Sequence, residues 1–295
     1  MNLFEIIKTL KPVISQPEII PGFLYGAFRR KSINFYNGLT DENTVVYWFQ
    51  SRSFTIDLRL KSQTGTAVQQ RQGWIGNTLW DNDNQLLSWD VKDYANYQNH
   101  VQWPEPAKLH AIGNCILEFS PSNVYVEDWR QQVQHGLFLG LRLQSALDVQ
   151  SGQKLEMDGG LIICADHIAY ALTRLPEVQS AVAQMDLKAV DPTPTVFALL
   201  ESFEVSIGTD GQAKTYSTRS SETGKAFKLE NFEVLNESSL VQHVFLDDRE
   251  IDLIFELDIY QPDYQFQYAT PTTIQAESWL KSEQNHLMQH AARVL

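Results

Sequence analysis

The chain has 295 residues, of which 43% are hydrophobic and 20% charged, the balance of a globular protein with a sizeable core. Its formal net charge of −13 argues against a nucleic-acid backbone or an anionic membrane surface as partner, because both demand clustered Lys and Arg. The same charge is accounted for by solubility alone. The two cysteines, Cys115 and Cys164, sit in apolar runs and read as buried free thiols. No Cys/His spacing resembles a metal site. No apolar run reaches the roughly 18 residues of a membrane span, and the first residues lack the pattern of a secretion signal. A cytoplasmic location is expected.

Leu3–Leu10 places Leu3, Ile6, Ile7 and Leu10 one turn apart and predicts a short helix ending before Pro12. Pro17–Leu24 is a Pro- and Gly-punctuated lead-in, and Ser32–Tyr36 a first strand before the Asn37-Gly38 turn. Val45–Leu60 follows, as VVYWFQSRSFTIDLRL. Two β-branched and aromatic runs flank Ser51-Arg52-Ser53. In the second, Phe54, Ile56, Leu58 and Leu60 alternate with Thr55, Asp57 and Arg59, the period of a strand with one apolar and one polar face.

Lys61–Gln70 reads as a loop. Gly73–Trp80 and Gln85–Val91 form a hairpin around Asp81-Asn82-Asp83-Asn84. Asp93–Pro106, with Pro104 and Pro106, is a poor strand. His110–Phe119 and Asn123–Arg130 pair around Ser120-Pro121-Ser122, and Gly136–Leu143 is a leucine-lined strand. Leu155–Arg174 is another hairpin, with Asp158-Gly159-Gly160 and Asp166-His167 as turn candidates. Pro176–Leu187 is a helix started by Pro176. Val196–Gly208, Thr215–Arg219, Phe227–Leu235, Leu240–Leu246 and Ile251–Ile259 are further strands. Ile274–Val294 is helical, with Thr273 as N-cap.

Roughly ten to thirteen strands at short, regular spacing predict an all-β fold: one large or two fused antiparallel lipocalin-like β-barrels with a short N-terminal and a longer C-terminal helix. The expected division is 1–44 as lead-in helix and first strand, 45–145 and 146–270 as barrels or barrel halves, and 271–295 as the terminal helix. Phe255, Leu257 and the apolar residues of that helix could cover a barrel edge or a second copy, which suggests a homodimer.

The stretches WFQSRSFTIDLRL, QGWIGNTLW, LLSWDVKDY and VYVEDWRQQ resemble a family of uncharacterised bacterial lipocalin-like (calycin-type) proteins and, distantly, yeast proteins built as a pair of lipocalin-like barrels. The positions carrying the likeness are Trp48, Gln50, Phe54, Asp57, Arg59, Gly73, Trp74, Gly76, Trp89, Glu127, Trp129 and Arg130. Phe203–Gly208 and Tyr216–Arg219 add two later strands, so the likeness spans about Thr44–Arg219. Asp90-Val91 departs from the family's His-Arg, and nothing beyond Phe227 has a counterpart. The resemblance implies the fold and no activity.

Asp57 and Arg59 share a strand face. Facing a lumen, they could orient a ligand's polar end or supply an acid and an electrostatic stabiliser; facing neighbouring strands or solvent, they are an ion pair. Trp48, Trp74, Trp89 and Trp129 lie in four strands, either as an aromatic-walled pocket or as barrel core, with Trp129-Arg130 as a plug. Glu127 alternates with Tyr125 and Trp129, as a lumen base or a surface carboxylate. The predicted lining is thus Trp48, Gln50, Trp74, Trp89, Tyr125 and Trp129, with Asp57, Arg59 and Glu127 at the polar end. Asp57, Arg59 and Glu127 are also the residues an enzyme would use, as a lyase, hydratase or isomerase that needs no cofactor. Asp166 and His167, adjacent on a strand, face opposite ways and should not pair. His286 and His290 are i, i+4 but lack an acidic partner, and His110 reads as a barrel histidine. No phosphate loop and no serine elbow appears. The primary expectation is binding of a small apolar or aromatic molecule with one polar end inside a barrel cavity.

Overall fold

The computed structural model describes residues 1–13, 19–62, 65–99, 105–191, 193–266 and 269–291. Pro17 of the lead-in, part of Lys61–Gln70, Trp103, Pro104 and the Val294 end of the last helix lie outside the described residues. The protein is mostly strands, with four α-helices among the described residues. Eight strands close an antiparallel barrel: β1 (Gly26–Phe35), β2 (Val45–Gln50), β3 (Phe54–Leu60), β4 (Gln72–Asp81), β5 (Leu86–Asp90), β6 (Ala107–Ile112), β7 (Cys115–Phe119) and β8 (Tyr125–Gln131). Each pairs with its successor, and β8 returns to β1.

A second antiparallel sheet takes β9 (His135–Asp148), β10 (Gly159–Cys164), β11 (His167–Leu172), β12 (Glu204–Gly208), β13 (Tyr216–Ser217), β14 (Phe232–Val234), β15 (Ser239–Leu246) and β16 (Arg249–Gln265) in the order β13-β12-β11-β10-β9-β16-β15-β14. Position 145, where the first barrel was expected to end, falls inside β9, and the first strand is itself a barrel stave. The edges β13 and β14 are not paired with each other, and residues 218–231 run between them. Helix α1 (Leu3–Ile7) packs against this sheet. Its Leu3, Ile6 and Ile7 pack with Leu141, Leu161, Leu253 and Phe255, and Leu3 N–H donates to the Leu229 carbonyl at 2.7 Å.

The alternation read in Phe54–Leu60 has an inverted use. Cross-strand partners share a face, and Asp57 stands opposite Trp48 and Trp74, Thr55 opposite Gln50, and Thr78 opposite Trp89. The polar face therefore lines the barrel interior. The apolar face, Phe54, Ile56 and Leu58 with Tyr47 and Phe49, points outward and is covered by Phe138, Ile162, Ala171 and Val205 of the second sheet. Glycine permits this closeness: a Cβ on Gly160 would lie 2.9 Å from both Ile75 Cδ1 and Phe54 Cε2. Asp258 of β16 accepts bonds from the Ser51 hydroxyl at 2.6 Å and the Ser53 amide at 2.9 Å, fixing the β2–β3 turn against the second sheet.

Several expectations are corrected. His110–Phe119 is not one strand: Gly113 at φ +60° opens a turn between β6 and β7. Val196–Leu200 is not strand but part of helix α3 (Pro194–Glu201), which follows helix α2 (Pro176–Ala183). Thr193 caps α3, and Pro194 sits at its first position, where no N–H is needed. Phe255 and Leu257 are buried inside the second sheet and cannot cover a partner. Helix α4 (Ile274–Leu287) is capped by Thr273 as expected but buries none of its described residues. It ends before His290, so His286 and His290 do not share a helix face. Arg130 faces outward, with Asp128 at 2.7 Å, and so is no plug. Asp166 does pair with His167, at 2.8 Å, because it belongs to a turn after left-handed Ala165 rather than to the strand. His110 is exposed on the outer barrel surface. Cys164 is buried, while Cys115 is half-buried; both are free thiols.

Candidate functional site

The barrel interior collects all nine residues of the predicted lining. Trp48 stacks on Phe28 with centroids 4.7 Å apart and meets Trp129 edge-on at 5.7 Å; Trp74 meets Trp89 edge-on at 5.7 Å. Gln50 ties the network together. Its carbonyl oxygen accepts from Trp48 Nε1 at 3.2 Å and Thr55 Oγ1 at 2.7 Å, and its amide donates to Thr78 Oγ1 at 2.8 Å. Trp89 Nε1 donates to Thr55 Oγ1 at 3.1 Å. An eight-stranded barrel is just narrow enough for side chains to fill, and here large aromatic rings fill much of it.

The charged groups of the interior are paired. Arg59 donates to both oxygens of Asp57, at 2.8 and 3.3 Å, and Arg30 donates to Glu127 at 2.6 Å. Asp57 and Glu127 are buried, while Arg59 and Tyr125 stay partly exposed. Between them lies Glu118, which the strand pattern alone does not single out. It accepts from Trp129 Nε1 at 3.0 Å and, at 3.5 Å, from the Tyr125 hydroxyl. Burial first, then the neighbouring Glu127 charge, pushes its pKa up to about 8. Glu118 is thus a buried carboxylic acid that holds its proton at neutral pH, whereas Asp57 is committed to Arg59. Glu118 is hidden in the sequence because the Gly113-Asn114 turn resets which face of Cys115–Phe119 points inward.

A cavity of about 410 Å³ opens elsewhere, at the unclosed side of the second sheet. Tyr170, Glu204, Lys214 and Arg219 form one wall. Leu172, Leu175, Phe227, Leu229, Val244 and Leu246 supply apolar surface, and further polar side chains, Gln242 and His243 among them, complete the lining. Lys214 donates to Glu204 at 2.6 Å and to Glu222 at 2.7 Å, and its Nζ lies 5.8 Å from the Phe227 ring centroid. Burial alone would raise the Glu222 pKa, but hydrogen bonds from Lys214 and Lys225 reverse this and hold it at about 2. Alternation in FEVSIG places Glu204 and Ser206 together on one face, a polar pair in an otherwise apolar strand that marks this wall but not the cavity it borders.

Among the described residues no group of three or more His, Cys, Asp or Glu is arranged to hold a metal ion, and no helix is long and apolar enough to cross a membrane. No family model, curated protein or solved structure matches the chain. Fold and local chemistry alone therefore carry the functional reading.

Proposed function

We propose that the protein binds a small, largely apolar molecule with one polar end, and that the ligand occupies the cavity of the second sheet. One observation carries this reading: a space of about 410 Å³ lined by both charged and apolar side chains. That volume lies within the usual range of ligand pockets, about 300–1,000 Å³. The wall supplies what such a ligand needs. Apolar side chains gain about 0.8 kcal/mol for each methylene they remove from water, and the polar groups set its orientation. The barrel interior is a weaker candidate, since its rings contact one another and its charges are paired.

Native mass spectrometry of freshly purified protein tests the reading. A bound species of small mass is expected, and it should be lost in Val244→Trp, which fills the cavity. Intrinsic fluorescence gives an independent check. Among the described residues no tryptophan lines the cavity, so ligand binding should leave tryptophan emission nearly unchanged. Strong quenching or a large spectral shift would instead place the ligand among the barrel rings.

A further inference from the structure

We propose that the polar end of the ligand is a carboxylate, bound by Arg219 and Tyr170, so that the protein takes apolar monocarboxylates. This inference rests on the second-sheet cavity being the binding site. It follows from counting which hydrogen-bonding capacity of the charged wall is spent and which is not.

Both carboxylates of the wall are already engaged by cations. Glu204 Oε1 accepts from Lys214 at 2.6 Å and from the Ser206 hydroxyl at 2.7 Å. Glu222 accepts from Lys214 through one oxygen and from Lys225, at 3.0 Å, through the other. A cationic ligand would find each of these carboxylates already neutralised by a lysine. Glu230 and Asp247 also reach the lining, but both are exposed to water, as is Lys228. A charge at those positions is screened and contributes little.

The donors are not occupied. Arg219 makes one long contact, Nη1 to Glu204 at 3.5 Å, and its Nε is buried without a partner. A guanidinium has five N–H donors, so most of this one's capacity is unspent. The Tyr170 hydroxyl has no hydrogen-bond partner among the described residues, although its ring lines the cavity. Burial and the Glu204 charge raise its pKa, so it remains a donor throughout the physiological range. An arginine fork beside a phenol matches a group that offers two acceptor oxygens and a negative charge. With exposed Lys225 set aside like the other exposed charges, Lys214 and Arg219 balance Glu204 and Glu222, so the preference for a carboxylate comes from the unspent Arg219 and Tyr170 donors and not from net charge. Leu172, Leu175 and Phe227 then take the hydrocarbon.

Calorimetric titration of the protein with decanoate, naphthoate, decanol and decylamine tests the inference without any variant. At least one of the two acids should bind about tenfold or more tighter than decanol, the gain expected of charge-assisted hydrogen bonds, and decylamine should bind weakest. Decanoate and naphthoate separate chain acids from flat aromatic ones, and either supports the carboxylate. Arg219→Gln should abolish the preference for acid over alcohol, and Tyr170→Phe should reduce it several-fold. Equal binding of acid and alcohol overturns the carboxylate and leaves the cavity standing. The carboxylate is likewise overturned if decylamine binds best, or if the preference persists in a folded Arg219→Gln. Absence of binding by all four probes overturns the cavity reading itself.

Discussion

Glu118→Gln should become more stable relative to the unmodified protein as pH rises from about 5 to 8. The folded state keeps the Glu118 proton up to about 8, whereas the unfolded chain releases it near the ordinary value of 4.5. Between those values the folded state binds one proton more than the unfolded state. Raising the pH therefore favours unfolding, by at most about 1.4 kcal/mol for each pH unit. Below the ordinary value both forms carry the proton and the contribution is constant. Glutamine has the neutral acid's shape, can still accept from Trp129 Nε1, and has no proton to lose. Urea titrations of both proteins across this range should show the stability gap shifting steadily in favour of the variant. Parallel curves would mean that Glu118 is ionised in the folded barrel and that its environment is more polar than the geometry shows.

Trp129→Ala should cost about 3–5 kcal/mol, the range for deleting a large ring from a packed core. Trp129 is 2% exposed, contacts Trp48 edge-on, and supplies the closest donor to Glu118. The deletion removes packing and a hydrogen bond together. Trp129→Phe separates the two, keeping most of the ring and losing the N–H, and should cost less. Denaturation midpoints of the three proteins measure both effects. A loss below about 1 kcal/mol for the alanine variant would show that the barrel interior is loosely filled, contrary to the ring contacts.

Much of the architecture was legible because the strands alternate cleanly. In Phe54–Leu60 the period gives the strand, the two faces and the Asp57–Arg59 pair. It does not give which face is inside. A polar face ordinarily meets water, but here the second sheet covers the apolar outer face, and the polar face is enclosed. That inversion depends on contacts between residues far apart in the chain, such as Phe54 near Gly160, which no local pattern encodes. The errors were also local in origin. Val196–Leu200 is apolar enough for a strand, and the Thr193-Pro194 start signal decides for helix. In His110–Phe119 an apolar run masks the Gly113-Asn114 turn. The nine predicted lining residues do converge, because strand alternation and barrel closure bring them to one interior. The second-sheet cavity was not legible. Its wall joins Tyr170 and Glu204 of two strands to Lys214 and Arg219 of the segments before and after β13, and it exists because β13 and β14 stay unpaired.

The most direct test of the proposed function is where a ligand sits. Binding of the molecule that co-purifies, or of decanoate, should be measured by calorimetry in Val244→Trp and in Trp89→Ala, with circular dichroism confirming that both remain folded. Val244→Trp is expected to abolish binding by filling the second-sheet cavity, while Trp89→Ala, which opens the barrel interior, should bind like the unmodified protein. Retained binding in Val244→Trp together with altered affinity in Trp89→Ala would place the ligand in the closed barrel and contradict the second-sheet site.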